Sequence, residues 1–166
     1  MAKKAKKAKK SKQTAKKKAT KPVKKVAPKK ATPKAKKAAP VFGLLSVTPG
    51  FTANDAAASM QWYCDVLGFS IAEKWEIDGV SYGGRVQREQ VSINIGQDDW
   101  KMGRDRAKGT ASRMYIMTGP GIDDYAAAIK ARGGVLDGDV VQDWGVRAFS
   151  INDPDGFKLT FMTPVK

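Results

Sequence analysis

Two hydrophobic periods alternate along residues 41–166 of this 166-residue chain. Residues 42–51 form an apolar-rich extended run. Ala56, Met60, Tyr63 and Leu67 then recur at helical spacing. Asn54 or Asp55 stands where a helix N-cap belongs, and Gly68 stands where the helix should close. Strand patterns follow over residues 69–77, 81–87 and 90–95, with Asp78-Gly79 as the first hairpin turn. A charged, polar loop covers 96–110. A strand over 113–118 leads into a helix over 123–132, which Gly133-Gly134 ends, and three further strands fit 139–143, 146–151 and 157–163.

The order β-α-β-β-β therefore occurs twice, over roughly residues 44–96 and 113–163. Leu67-Gly68-Phe69 after the first helix is matched by Gly133-Gly134-Val135 after the second. The expected fold class is α+β, with two βαβββ modules pairing their sheets around a shared cavity. Strand alternation sorts the side chains. Ile93, Ile95, Leu159 and Phe161 should face the helices, and Ser92, Asn94, Lys158, Thr160 and Met162 the cavity.

Residues 1–40 break this pattern. They hold 18 lysines and no acid, aromatic, glycine or arginine, which leaves 13 of the 31 basic side chains against all 16 acidic ones in residues 41–166. The net +15 of the chain thus belongs to the tail, and the rest is a mildly acidic domain. Two parts are expected: a disordered Lys/Ala/Pro-rich tail (1–40) and a globular domain (41–166). Lysine is a point charge suited to phosphates, whereas the bidentate arginine that reads bases is absent from the tail. Lys3, Lys4, Lys6, Lys7, Lys9, Lys10, Lys16, Lys17 and Lys18 are the candidate nucleic-acid contacts, with binding indifferent to sequence. The tail also resembles those of linker histones and bacterial histone-like proteins.

Composition removes several classes. With no histidine, Ser-His-Asp and Cys-His catalysis and every histidine metal site are excluded. The single cysteine, Cys64, permits no internal disulfide or CxxC zinc site, and one turn from a helix end it reads as a structural thiol. No apolar run approaches the roughly 18–20 residues of a membrane span, and no secretory signal is visible. A cytoplasmic setting, with the nucleoid as one location within it, is expected.

Asp55-Ala56-Ala57-Ala58-Ser59 leading into Trp62-Tyr63-Cys64-Asp65-Val66-Leu67-Gly68-Phe69 resembles the "D…FY…vLGF" signature of the vicinal oxygen chelate superfamily. Trp144-Gly145-Val146-Arg147-Ala148-Phe149 and Asp153-Pro154-Asp155-Gly156-Phe157 resemble its "WG-R-F…DPDG" ending. That superfamily includes glyoxalase I, extradiol dioxygenases, fosfomycin-modifying enzymes and bleomycin-resistance proteins. The resemblance implies four inward positions where metal-dependent members place His, Glu or Gln. Carried over by spacing, these fall on Thr48, Asn94, Met114 and Thr160. None offers a carboxylate or imidazole, so no metal and no cofactor are expected.

Without a metal, the cavity is expected to bind a small aromatic or amphipathic ligand. Its candidate contacts are Trp75, Tyr82, Asn94, Trp100, Met114, Trp144 and Thr160, with Trp100 in the charged loop as a lid. The analogy implied is to bleomycin-resistance proteins, which hold a cationic antibiotic in a dimer crevice, so a homodimer is an expected partner state. Two other functions stay open. One is a glyoxalase-like lyase or other enzyme of the superfamily, disfavoured by the missing ligands. The other is a nucleoid-associated architectural protein in which the domain dimerises and the tail binds DNA.

Overall fold

The computed structural model describes residues 45–165, all of which belong to one compact unit. Its elements run β1 (Gly50–Ala53), α1 (Ala56–Asp65), β2 (Ser70–Ile77), β3 (Val80–Arg88), β4 (Val91–Gln97), β5 (Arg113–Met117), α2 (Ile122–Ala131), β6 (Val141–Asp143), β7 (Val146–Asn152) and β8 (Lys158–Pro164). The strands form two four-stranded sheets, ordered β1-β4-β3-β2 and β5-β8-β7-β6. Each has one parallel pair, β1 with β4 and β5 with β8, and is otherwise antiparallel. The repeat expected from the order of elements is thus a repeat of topology.

Local chemistry accounts for the helix ends. The Asp55 carboxylate accepts from the Ala58 amide at 3.0 Å, closing the first turn of α1. At the far end Gly68 takes φ +72 and its amide donates back to the Cys64 carbonyl at 3.1 Å, a reversal that a side chain at that position would strain.

The first strand is shorter than the apolar run at 42–51 suggests. Leu45 and Val47 are 97 % and 92 % exposed, and pairing begins only where Phe51 and Ala53 turn inward. Pro49 lacks the amide a ladder needs and contributes only its carbonyl, to the Asn94 amide.

Both helices pack on the inner sheet faces, and the two modules share one core. Tyr63, Leu67, Val86, Ile93 and Ile95 from the first join Ile129, Phe149, Ile151, Leu159 and Phe161 from the second. Polar bonds sew the seam. Tyr63 Oη donates to Asp153 Oδ2 at 3.0 Å, and the Ser59 hydroxyl and Asn54 amide donate to Asp155 at 2.6 and 2.7 Å. The Leu67 carbonyl at the end of α1 accepts from Arg88 and from Tyr125 Oη. Asp153 also receives the amides of Asp155 and Phe157, so the Asp-Pro-Asp-Gly turn both closes the β7–β8 hairpin and clamps the first module.

Candidate functional site

With Ile93, Ile95, Leu159 and Phe161 inside, the alternate residues form two outward sheet faces. Strand register arranges each face in rows. On the first sheet Glu73, Arg85, Asn94 and Gly50 lie side by side, and Trp75, Gly83, Gly96 and Thr52 form the next row. Thr48 reaches toward Ser92, with 3.4 Å between hydroxyls. On the second sheet the rows are Arg113, Lys158, Asn152; then Tyr115, Thr160, Ser150; then Met117, Met162, Ala148.

Asn94 and Thr160 hold central outward positions, one in each sheet. Asn94 Oδ1 and Arg85 Nε are buried neighbours without hydrogen-bond partners. The Arg85 guanidinium spends another donor on Glu73 at 2.9 Å. Thr160 bonds the Ser150 hydroxyl at 2.9 Å. Trp75, half-buried, sits in register with two glycines, and Gly83 cannot be replaced freely: its φ is +125 and an added Cβ would stand 2.0 Å from the Ile95 carbonyl. That row is a floor with a single aromatic on it.

The expectation for Met114 is corrected. Met114 pairs with Leu159 and packs against the core, on the inner side of β5. Its outward neighbour Arg113 stands twenty residues before Gly133, as Thr48 stands twenty before Gly68, and the register agrees: Gly50 pairs with Asn94 as Tyr115 pairs with Thr160. The counterpart of Thr48 is therefore Arg113.

The remaining aromatics separate. Tyr82 is half exposed beside an irregularity in the β2–β3 pairing. Trp144 is 92 % exposed at the tip of the β6–β7 hairpin, with its backbone at φ +52. Trp100 lies in the loop after β4, where Arg104 covers one face of its ring at 4.0 Å. That loop is pinned at Asp98, which is buried and receives Arg106 at 3.0 Å, Lys108 at 3.1 Å and the Trp100 amide at 3.1 Å. Burial works against its ionisation, but the Lys108, Trp100 and Arg106 bonds outweigh it and hold the Asp98 carboxyl below the usual carboxylate range. Burial and the adjacent Asp65 push the Cys64 thiol up, which keeps it protonated and weakly nucleophilic at neutral pH. The tail lysines Lys3 to Lys18 lie outside the described residues.

Among the described residues, no cluster of three or more His, Cys, Asp or Glu could hold a metal ion. None of the described helices is long and apolar enough to cross a membrane.

Residues 44–161 match the family model of the Glyoxalase/Bleomycin resistance protein/Dioxygenase superfamily. No curated protein matches the chain significantly. Solved structures share the fold at low identity. TioX from Micromonospora sp. ML1 superposes with TM-score 0.59 and 14 % identity, over 72 % of this chain and 100 % of that one. A glyoxalase-related enzyme from Clostridium phytofermentans gives 0.58 and 20 %, over 75 % and 98 %. TnmS3, an antibiotic binding protein from Streptomyces sp. CB03234, gives 0.54 and 21 %, over 75 % and 100 %.

Proposed function

The chain belongs to the Glyoxalase/Bleomycin resistance protein/Dioxygenase superfamily, and from that premise we propose that its domain is a metal-free binding protein for a small aromatic or amphipathic molecule held against the outward sheet faces. The chemistry of four positions carries this reading. Thr48, Asn94, Arg113 and Thr160 supply two hydroxyls, an amide and a guanidinium. A divalent cation needs carboxylate, imidazole or thiolate there, and a guanidinium repels it, so a metal of the kind found in metal-dependent members does not fit these residues. An organic ligand does fit. Asn94 Oδ1 is an unused buried acceptor, Trp75 is a half-buried aromatic in register with two glycines, and Tyr115 and Met117 are more than half exposed. The printed description of TnmS3 as an antibiotic binding protein points the same way.

In this reading a second copy of the chain closes the faces into a crevice. Ile77, Val80, Tyr82, Tyr115, Met117, Val141 and Trp144 are all exposed, more large apolar surface than scattered single residues would give. Native mass spectrometry of the full chain purified without chelator tests the proposal. The expected spectrum is a dimer that retains a small organic mass and releases it in the Asn94→Leu variant. Glyoxalase turnover on adding Zn²⁺, Ni²⁺ or Mn²⁺ would contradict it.

The tail adds a second activity to the proposal, tethering the domain to nucleic acid in the cytoplasm, at the nucleoid. Its support is the 18 lysines without a counter-charge in residues 1–40. Affinity for duplex DNA is expected to fall with log salt at a slope of about −6 to −12, from a contribution of roughly −0.9 per phosphate neutralised. Removal of residues 1–40 should abolish it. A shallow slope, or a preference between unrelated duplexes, would mean that the domain reads bases.

A further inference from the structure

The outward face of the second sheet grades from charge to hydrocarbon along its strands. Arg113, Lys158 and Asn152 make its first row, Tyr115, Thr160 and Ser150 its second, and Met117, Met162 and Ala148 its third. Rows two residues apart are about 6.6 Å apart, so the first and third lie about 13 Å from each other. A cavity of about 450 Å³ opens at the charged end, walled by Arg113, Lys158, Tyr115 and Asn152 together with Gly109 and Ser112 of the loop before β5.

The charge there has a sign. Lys158 is paired with Asp137, while Arg113, its neighbour across the β5–β8 pair, makes no ion pair among the described residues. On the first sheet, by contrast, Arg85 is matched by Glu73. A guanidinium beside an ammonium suits a planar oxyanion, because the guanidinium presents two parallel donors to it. The Ser112 hydroxyl and Asn152 amide add neutral donors within the same cavity. Two methionines in the third row offer a flexible, polarisable surface to an apolar body of varied shape.

We propose that this face takes an amphipathic anion, with a carboxylate head at Arg113 and Lys158 and an apolar body of about ten carbons laid over Met117 and Met162. The assignment rests on the binding function proposed above and names the class of its ligand. It reverses the charge preference that the mildly acidic composition of the domain suggests. The net charge of the domain is spread over its surface, whereas the charge at the cavity is local.

The full chain, ¹³C-labelled at its methionine methyl groups, is titrated with decanoate and separately with decyltrimethylammonium, which carries the same chain on a cationic head. Decanoate is expected to move the Met117 and Met162 resonances saturably while the buried Met60 stays in place. The ammonium should bind at least about tenfold more weakly, the factor expected for one charge-assisted hydrogen bond. Decanoate drawn to the tail would register at Met1 alone. Arg113→Gln should weaken decanoate about tenfold by the same reasoning, and Arg113→Lys should recover part of the loss. An unshifted Met60 identifies a folded variant. If Arg113→Gln fails to fold, the exposed Asn152→Asp, which sets a carboxylate beside the headgroup, should weaken decanoate similarly.

Equal affinity for the two heads, or a folded charge variant that binds decanoate as the parent does, overturns the proposal. Movement of Met117 and Met162 by the ammonium alone overturns the headgroup class but leaves the face a ligand site. Movement by neither probe removes the ligand site as well.

Discussion

The two modules have the same order of elements, the same strand order and inner faces that merge into one core, yet their outward faces have diverged. The first presents a matched Glu73–Arg85 pair, an unpartnered Asn94 oxygen and Trp75 in register with two glycines. The second presents Arg113 beside a Lys158 that is ion-paired with Asp137, a row of hydroxyls and a row of methionines. Inner positions answer to close packing, which tolerates little change in volume. Outward positions answer to whatever they touch. A repeated fold with unlike outer faces therefore offers two chemically different surfaces without any added element of structure.

The largest way to disturb this comparison is at the paired positions Gly83 and Ala148, which occupy equivalent places in β3 and β7. Gly83→Ala puts a Cβ into the Ile95 carbonyl from a left-handed backbone. Strain and overpacking together should cost about 2–5 kcal/mol. Ala148→Gly in the second module should cost only about 0.5–1 kcal/mol, the ordinary entropic penalty in a strand. Chemical denaturation with a common m-value measures both. Equal costs would mean that the glycine floor is not specific to the first face.

A smaller effect separates the carboxylates by sign. Asp98 is held below its ordinary range, so its contribution is present at neutral pH and is lost as pH falls through its folded value. Asp153 is pushed up, chiefly by burial in the seam, so its contribution is present at low pH and is lost as pH rises through its folded value. Between about pH 2 and pH 7, the Asp98→Asn variant should lose ground to the parent as pH rises to about 5, and Asp153→Asn should gain on it from about pH 4 upward. Thermal midpoints across that range report both trends. Parallel trends would mean that one of the two environments is misassigned.

How much of this was legible in the sequence depends on what each residue's neighbours had to supply. The helix ends at Asp55, Gly68 and Gly133 and the turn at Asp78-Gly79 are local chemistry, and the structure places them where the chain's punctuation does. The sorting of Ile93, Ile95, Leu159 and Phe161 to the core follows from strict alternation. Strand β5 has no such alternation: Met114, Tyr115, Ile116 and Met117 are all apolar or aromatic, so the pattern could not choose a face. Spacing carried over from a family then placed Met114 outward, one residue from the register that pairing with β8 imposes. Leu45 and Val47 read as strand because a sequence does not reveal that no neighbouring strand pairs with them. The crossing of Asp155 to Ser59 and Asn54 was invisible for the same reason, since it joins residues about a hundred positions apart.

The proposed binding function requires that the positions used for a metal elsewhere in the superfamily serve an organic ligand here. Calorimetric titration of the chelator-treated full chain with Ni²⁺ and Zn²⁺ tests it most directly, alongside a variant in which Asn94→Glu, Arg113→His and Thr160→Glu restore ligands on both faces. No saturable uptake is expected of the parent chain and measurable uptake of the substituted one. Tight, stoichiometric binding by the parent that Asn94→Leu abolishes would contradict it.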